Sequence, residues 1–195
     1  MIVIRLADLT DQEPIIAGSA TGRRLFAKLM NVAMKIETGP TVIGISFAGI
    51  SIATSSCLRE CVIEFRRRLR EMKPHIYPVL IDLSDEVEEE LGGLLNQVGE
   101  AIWVFKRKGR SKNTEQYLIG RIDSTLKETL DLIRSRKKVD AQTLWRREKS
   151  GEPNSESIGV TAWNNRLATL SRQGLVIESR EGKTKIYHSL RTGDQ

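Results

Sequence analysis

The sequence predicts an α/β domain, a mixed sheet covered by helices, followed by a smaller α+β domain. Three observations carry this expectation. Up to residue 105, short runs rich in Val and Ile alternate with longer segments whose apolar residues recur every three or four positions, as in helices layered on a sheet. Beyond a basic stretch the pattern changes to three short helical segments and then a hairpin signal. Charge divides with the pattern: residues 1–105 hold 11 Lys and Arg against 14 Asp and Glu, a net of −3, whereas 106–195 hold 20 against 11, a net of +9.

Taken in order, residues 2–6 form a β-branched first strand, and 7–20 a polar loop containing Pro14 and Gly18. From Arg23, the residues Leu25, Phe26, Leu29, Met30, Val32, Ala33 and Ile36 keep helical spacing until Gly39-Pro40 ends the segment. The continuous apolar run 41–47 predicts a strand buried on both faces. A helix over 54–72 carries Leu58, Cys61, Val62, Phe65 and Leu69 on one side, with Arg59, Arg66, Arg67, Arg68 and Arg70 read as its charged outer face. Residues 76–83 predict another strand. Ser84 starts a helix with acids in its first turn, and Gly99 closes it. The acids Asp85, Glu86, Glu88, Glu89 and Glu90 are read as a solvated face, since no second acidic cluster accompanies them as a metal site would need. Residues 101–105 are a last short strand.

The first domain is therefore placed at 1–105. A basic linker or joint follows at 106–123, opening on Lys106-Arg107-Lys108-Gly109-Arg110-Ser111-Lys112, with 117–122 either an edge strand or the joint itself. The second domain is placed at 124–195. Ser124 is its first expected cap, and helices are expected over 124–133, 141–147 and 160–172. Gly174 breaks the third, and the runs 175–179 and 184–189 flank Arg180-Glu181-Gly182-Lys183 as a hairpin.

Composition narrows function. With 39% hydrophobic and 29% charged residues among 195, the chain can bury a core. No apolar run approaches the roughly 18 residues of a membrane span, and the first residues lack a basic, then apolar, secretory signal. The expected setting is the cytoplasm, without a membrane partner. Cys57 and Cys61 are expected to be small core residues. His75 and His188 are too far from them, and from any plausible nucleophile, for a zinc site or a catalytic triad. Gly18-Ser19-Ala20-Thr21-Gly22 lacks the Lys-Ser/Thr ending of a phosphate loop. The chain is thus expected to bind rather than catalyse, with neither cofactor nor metal.

On the third helix of the second domain, Trp163, Leu167 and Leu170 point inward. Thr161, Ala162, Asn164, Asn165 and Arg166 then fall on or near the open face, where Asn suits adenine and Arg suits guanine or phosphate. Arg180, Lys183 and Lys185 sit in the hairpin, and Arg146 and Arg147 precede the loop before the third helix, so cations flank it. The segment from Val160 through Val176, with Tyr187 in the hairpin, closely resembles the recognition helix and wing of bacterial winged-helix regulators. That resemblance implies duplex DNA as partner, and a homodimer where two half-sites must be matched. Winged helices that contact only protein are the alternative.

The run Ile45-Ser46-Phe47-Ala48-Gly49-Ile50-Ser51-Ile52-Ala53-Thr54-Ser55-Ser56-Cys57-Leu58-Arg59-Glu60, with Gly22-Arg23-Arg24-Leu25-Phe26 before it, is similar to STAS-like domains, which include anti-sigma-factor antagonists. The resemblance implies a protein partner and a phosphorylatable switch serine at Ser55 or Ser56. Thr54 stands where that family has Asp, and Cys57 where it has Gly. From the residues alone, Ser55 and Ser56 are helix-start hydroxyls that satisfy backbone N–H groups. A nucleotide-sensing first domain is a further alternative.

Overall fold

The computed structural model describes residues 1–195 apart from 38, 108–113, 137, 152–157 and 191–195, and describes the backbone alone for 107, 114 and 147–151. It divides into two compact units, Met1–Arg121 and Ile122–Gln195. Among the described residues no helix is long and apolar enough to cross a membrane.

The first unit is built on a five-stranded sheet. Its strands β1 (Ile2–Arg5), β3 (Thr41–Ser46), β5 (Ile76–Ile81) and β6 (Ala101–Arg107) lie side by side and parallel, and β7 (Thr114–Gly120) closes one edge antiparallel to β6. The register sets Ile4, Ile45, Leu80, Val104 and Tyr117 in one row across all five strands. A second ladder pairs β2 (Ile15–Ile16) with β4 (Ile52–Ala53).

Neighbouring parallel strands joined by crossovers of one hand put their helices on one face of the sheet. Accordingly α2 (Gly18–Met34), the helix from α3 (Ser55–Leu58) through a π turn (Arg59–Glu64) into α4 (Phe65–Met72), and α5 (Asp85–Val98) share one core with Ile43, Ile45, Leu80, Ile102 and Val104. Alternate positions on β5 and β6, namely Val79, Ile81, Trp103 and Phe105, are buried as well. Both sets are apolar, as expected of parallel strands.

Two pairs of positions show how closely these layers meet. A Cβ at Gly22 of α2 would lie 2.6 Å from the Cys57 carbonyl oxygen and 2.8 Å from Glu60 Cβ, so α2 and α3 pack backbone against backbone. Gly92 and Gly93, in the middle of α5, are the opposite case: a Cβ there meets nothing within 4 Å. Each costs about 1 kcal/mol of helix propensity relative to Ala, with no packing need to explain it. The ends of α5 follow expectation. The Ser84 hydroxyl accepts from Val87 N at 3.3 Å, and Gly99 takes the left-handed conformation at φ 68°.

Several elements differ from the sequence reading. The polar loop 7–20 holds α1 (Leu6–Leu9), β2 and the first turn of α2. Two-residue strands are too short to show a period of two, and Gly18-Ser19-Ala20-Thr21 has too few apolar side chains to show one of 3.6. The helix over 54–72 contains the π turn. The first unit also extends to Arg121 rather than ending at 105, because Thr114–Gly120 completes its sheet as the edge strand. Of the basic stretch placed in a linker, Lys106 and Arg107 end β6, and 108–113 lie outside the described residues.

The second unit is an α+β assembly of α6 (Ser124–Ser135), α7 (Ala141–Gly151), α8 (Val160–Arg172) and a hairpin of β8 (Val176–Glu181) and β9 (Thr184–Ser189). The cap of α6 is Asp123 rather than Ser124: its carboxylate accepts from Thr125 N at 2.9 Å and Leu126 N at 3.4 Å. Leu130, Ile133, Leu144, Trp163, Leu167, Leu170, Val176, Ile186 and Tyr187 are buried. Between α6 and α7, Val139 exchanges both backbone hydrogen bonds with Tyr187, at 3.0 and 2.8 Å, and so ties the helices to the hairpin.

Candidate nucleic-acid interface

Helix α8 sorts its residues cleanly by depth. Trp163, Leu167 and Leu170 recur at spacings of four and three and are buried, while Thr161, Asn164 and Asn165 are exposed on the opposite side. Ala162 is half-buried. Arg166 is half-buried too, and its guanidinium lies over the Trp163 ring at 5.3 Å from the centroid. Arg166 also lies near enough to assist in depressing Asp123, whose carboxyl is held below its ordinary range first by the Thr125 hydroxyl and then by backbone N–H groups. The structure thus gives Arg166 a packing role besides the expected phosphate or guanine contact. One turn past the expected face, Arg172 is exposed on the same stripe, eleven residues after Thr161 and eight after Asn164. Extending the spacing of 161, 164 and 165 along the helix reaches it.

The hairpin presents its cations unevenly. Arg180 and Lys185 are direct cross-strand partners, two like charges side by side. Lys185 pairs with Glu178 at 2.8 Å, and Lys138, from before α7, reaches Glu181 at 2.8 Å. Arg180 and Lys183 are exposed, Lys183 beside Gly182 at the turn. Beneath them Tyr187 is buried, and its phenol is pushed up to about 12 by that burial and by the adjacent Glu178 carboxylate. The Ser179 hydroxyl and His188 Nε2 lie 2.9 Å apart across the hairpin.

Arg146 is exposed on α7, and the side chain of Arg147 lies outside the described residues. At the start of α7, the Asp140 carboxylate accepts from Thr143 N at 2.9 Å and from the Thr143 hydroxyl at 2.6 Å. Burial pushes the Asp140 carboxyl up, yet these bonds and Arg146 outweigh it and hold the group below its ordinary value.

In the first unit, Ser55 and Ser56 are the first two residues of α3, Ser55 half-buried and Ser56 exposed. The cap position of this helix falls on Thr54 rather than on Ser55 or Ser56, and the Thr54 side chain makes no cap bond. Its hydroxyl instead accepts from Gly18 N at 3.0 Å, at the start of α2, and lies 3.2 Å from the Ser56 hydroxyl. The parallel pairing of β2 with β4 brings these two helix starts together. Cys57 and Cys61 are free thiols with no exposure, as their helical spacing predicted.

Dividing the charge at the structural boundary changes its meaning. Of the net +9 in 106–195, residues 106–121 hold six Lys and Arg against one acid, +5, and 122–195 hold 14 against 10, +4. More than half of the basic excess therefore falls before the boundary at Arg121, not in the second unit. No protein-family model, curated protein or solved structure matches the chain.

Proposed function

We propose that this chain is a cytoplasmic, non-enzymatic regulator that binds duplex DNA through α8 and the β8–β9 hairpin, in the manner of a winged helix. Its STAS-like first unit serves for contact with a protein partner. The observation that carries this reading is the polar stripe of Thr161, Asn164 and Asn165 exposed on one side of α8, with Trp163, Leu167 and Leu170 fixing the other side in the core. Asn side chains on a helix supported in this way can pair with adenine edges in the major groove. Arg180 and Lys183 supply phosphate contacts that carry no sequence information.

The test is fluorescence anisotropy with a pool of labelled duplexes at two salt concentrations. Two phosphate contacts imply an affinity that falls about tenfold between 50 and 200 mM salt. Asn164→Ala with Asn165→Ala should relax sequence preference by about 1–3 kcal/mol at the bases read. Lys183→Glu should weaken all duplexes alike and flatten the salt dependence. Absence of binding at low salt would remove the proposal.

The Lys185–Glu178 and Lys138–Glu181 pairs favour a second reading, in which a hairpin with part of its charge neutralised contacts protein instead. A partner captured without salt dependence would select it.

A further inference from the structure

Helix α5 runs beside β7, and between them lies a groove of about 680 Å³. Asp85, Glu88, Glu89, Gly92, Gly93 and Asn96 line it from the helix, at positions that recur every three or four residues and so form one stripe. Glu115, Tyr117, Ile119 and Gly120 line it from the strand. Among the described residues, Asp85, Glu88, Glu89 and Glu115 bring carboxylates to the groove and Lys106 brings an ammonium, 3.9 Å from Asp85. The Tyr117 hydroxyl donates to Glu88 at 2.6 Å and ties strand to helix at mid-groove.

Among the described residues β7 pairs with β6 alone, so its outer edge offers a row of backbone donors and acceptors. The glycine pair has no neighbour that a side chain would disturb, and it leaves the helix wall open where another chain would pass.

The geometry points to a docking site for a basic, extended peptide segment of a partner protein, added as a sixth strand along β7. Backbone hydrogen bonds to the strand edge would hold the segment, and alternate Lys or Arg side chains would reach Asp85, Glu88 and Glu89. Asp85 to Asn96 spans about 17 Å of helix, the length of a strand of five or six residues. A second copy of this chain fits less well, because pairing β7 with itself would set two acidic stripes against each other. The inference stands whether or not α8 reads DNA, and its test uses no nucleic acid.

The probe is a fluorescently labelled hexapeptide alternating Lys and Val, titrated into the full chain. Saturable binding is expected, weakened at least tenfold by Asp85→Lys with Glu89→Lys. Gly92→Leu should weaken it as much by filling the groove, and because Leu is the better helix former, unchanged circular dichroism would show that the fold is kept. A peptide methylated on alternate backbone nitrogens should lose binding. Equal affinity for a Glu/Val peptide, or for the methylated one, would overturn the proposal. So would a dimer in light scattering that Gly92→Leu dissociates, since the edge would then belong to a second copy.

Discussion

Arg66 shows what a single residue type hides. Its side chain is 5% exposed, and its guanidinium donates to Glu100 Oε2 at 2.7 Å. Burial draws its pKa down, and the Glu100 charge works against that. Arg67 and Arg68, beside it, are exposed and paired with Glu64 and Glu71, while Arg70 donates to the Pro74 and Ile76 carbonyls and lies over the Tyr77 ring. Grouping these arginines with Arg59 by charge placed them mostly on an outer face. Spacing alone separates Arg66, which stands four residues after Val62 and three before Leu69, inside the apolar stripe. Its partner, 34 residues away in sequence, could not be seen there. Glu100→Gln should lower stability by about 2 kcal/mol in urea denaturation, less than a fully buried pair because Glu100 keeps solvent contact. Arg66→Met combined with Glu100→Gln should recover most of that loss. A double variant no more stable than the single one would contradict this account.

At the scale of elements, one substitution tests two helices with opposite signs. Gly22→Ala forces a Cβ against the Cys57 carbonyl, where backbone must move, and should cost about 2–3 kcal/mol. Gly92→Ala meets open space and should gain about 1 kcal/mol. Thermal denaturation of the two variants beside the parent measures both, and shifts of the same sign would refute the packing described for α2 and α5. Long periodic elements were legible: α5 with its Ser84 cap and Gly99 stop, and α8 with its buried and exposed sides, lie where spacing places them. Short elements were not, since β2 and β4 have two residues each and owe their pairing to contacts between distant segments. The same pairing joins Thr54 to Gly18 and gives Ser55 and Ser56 a setting that local sequence does not specify. On α8 the exposed candidates were legible, but Arg166 over Trp163 was not, because a side chain's reach across its own helix is a matter of rotamer rather than spacing.

For the whole molecule, the boundary moved while the two-part organisation remained. The change of composition near residue 106 falls inside the first unit, and the structural boundary lies at Arg121. A fragment of residues 1–121 should melt cooperatively, whereas 1–105 should aggregate, because losing β7 leaves β6 paired on one side only, with β5, and uncovers the core around Ile119. Size exclusion and circular dichroism of the two fragments decide this, and identical behaviour would return the boundary to 105. The order of strands in the main sheet, β1-β3-β5-β6-β7, is also their order along the chain. During synthesis each new strand therefore emerges to find its neighbour already made, and none has to be held open for a later insertion. The sheet can grow in the direction of translation, with short loop closures for a parallel topology, one edge moving outward with each new strand while β1 stays the other.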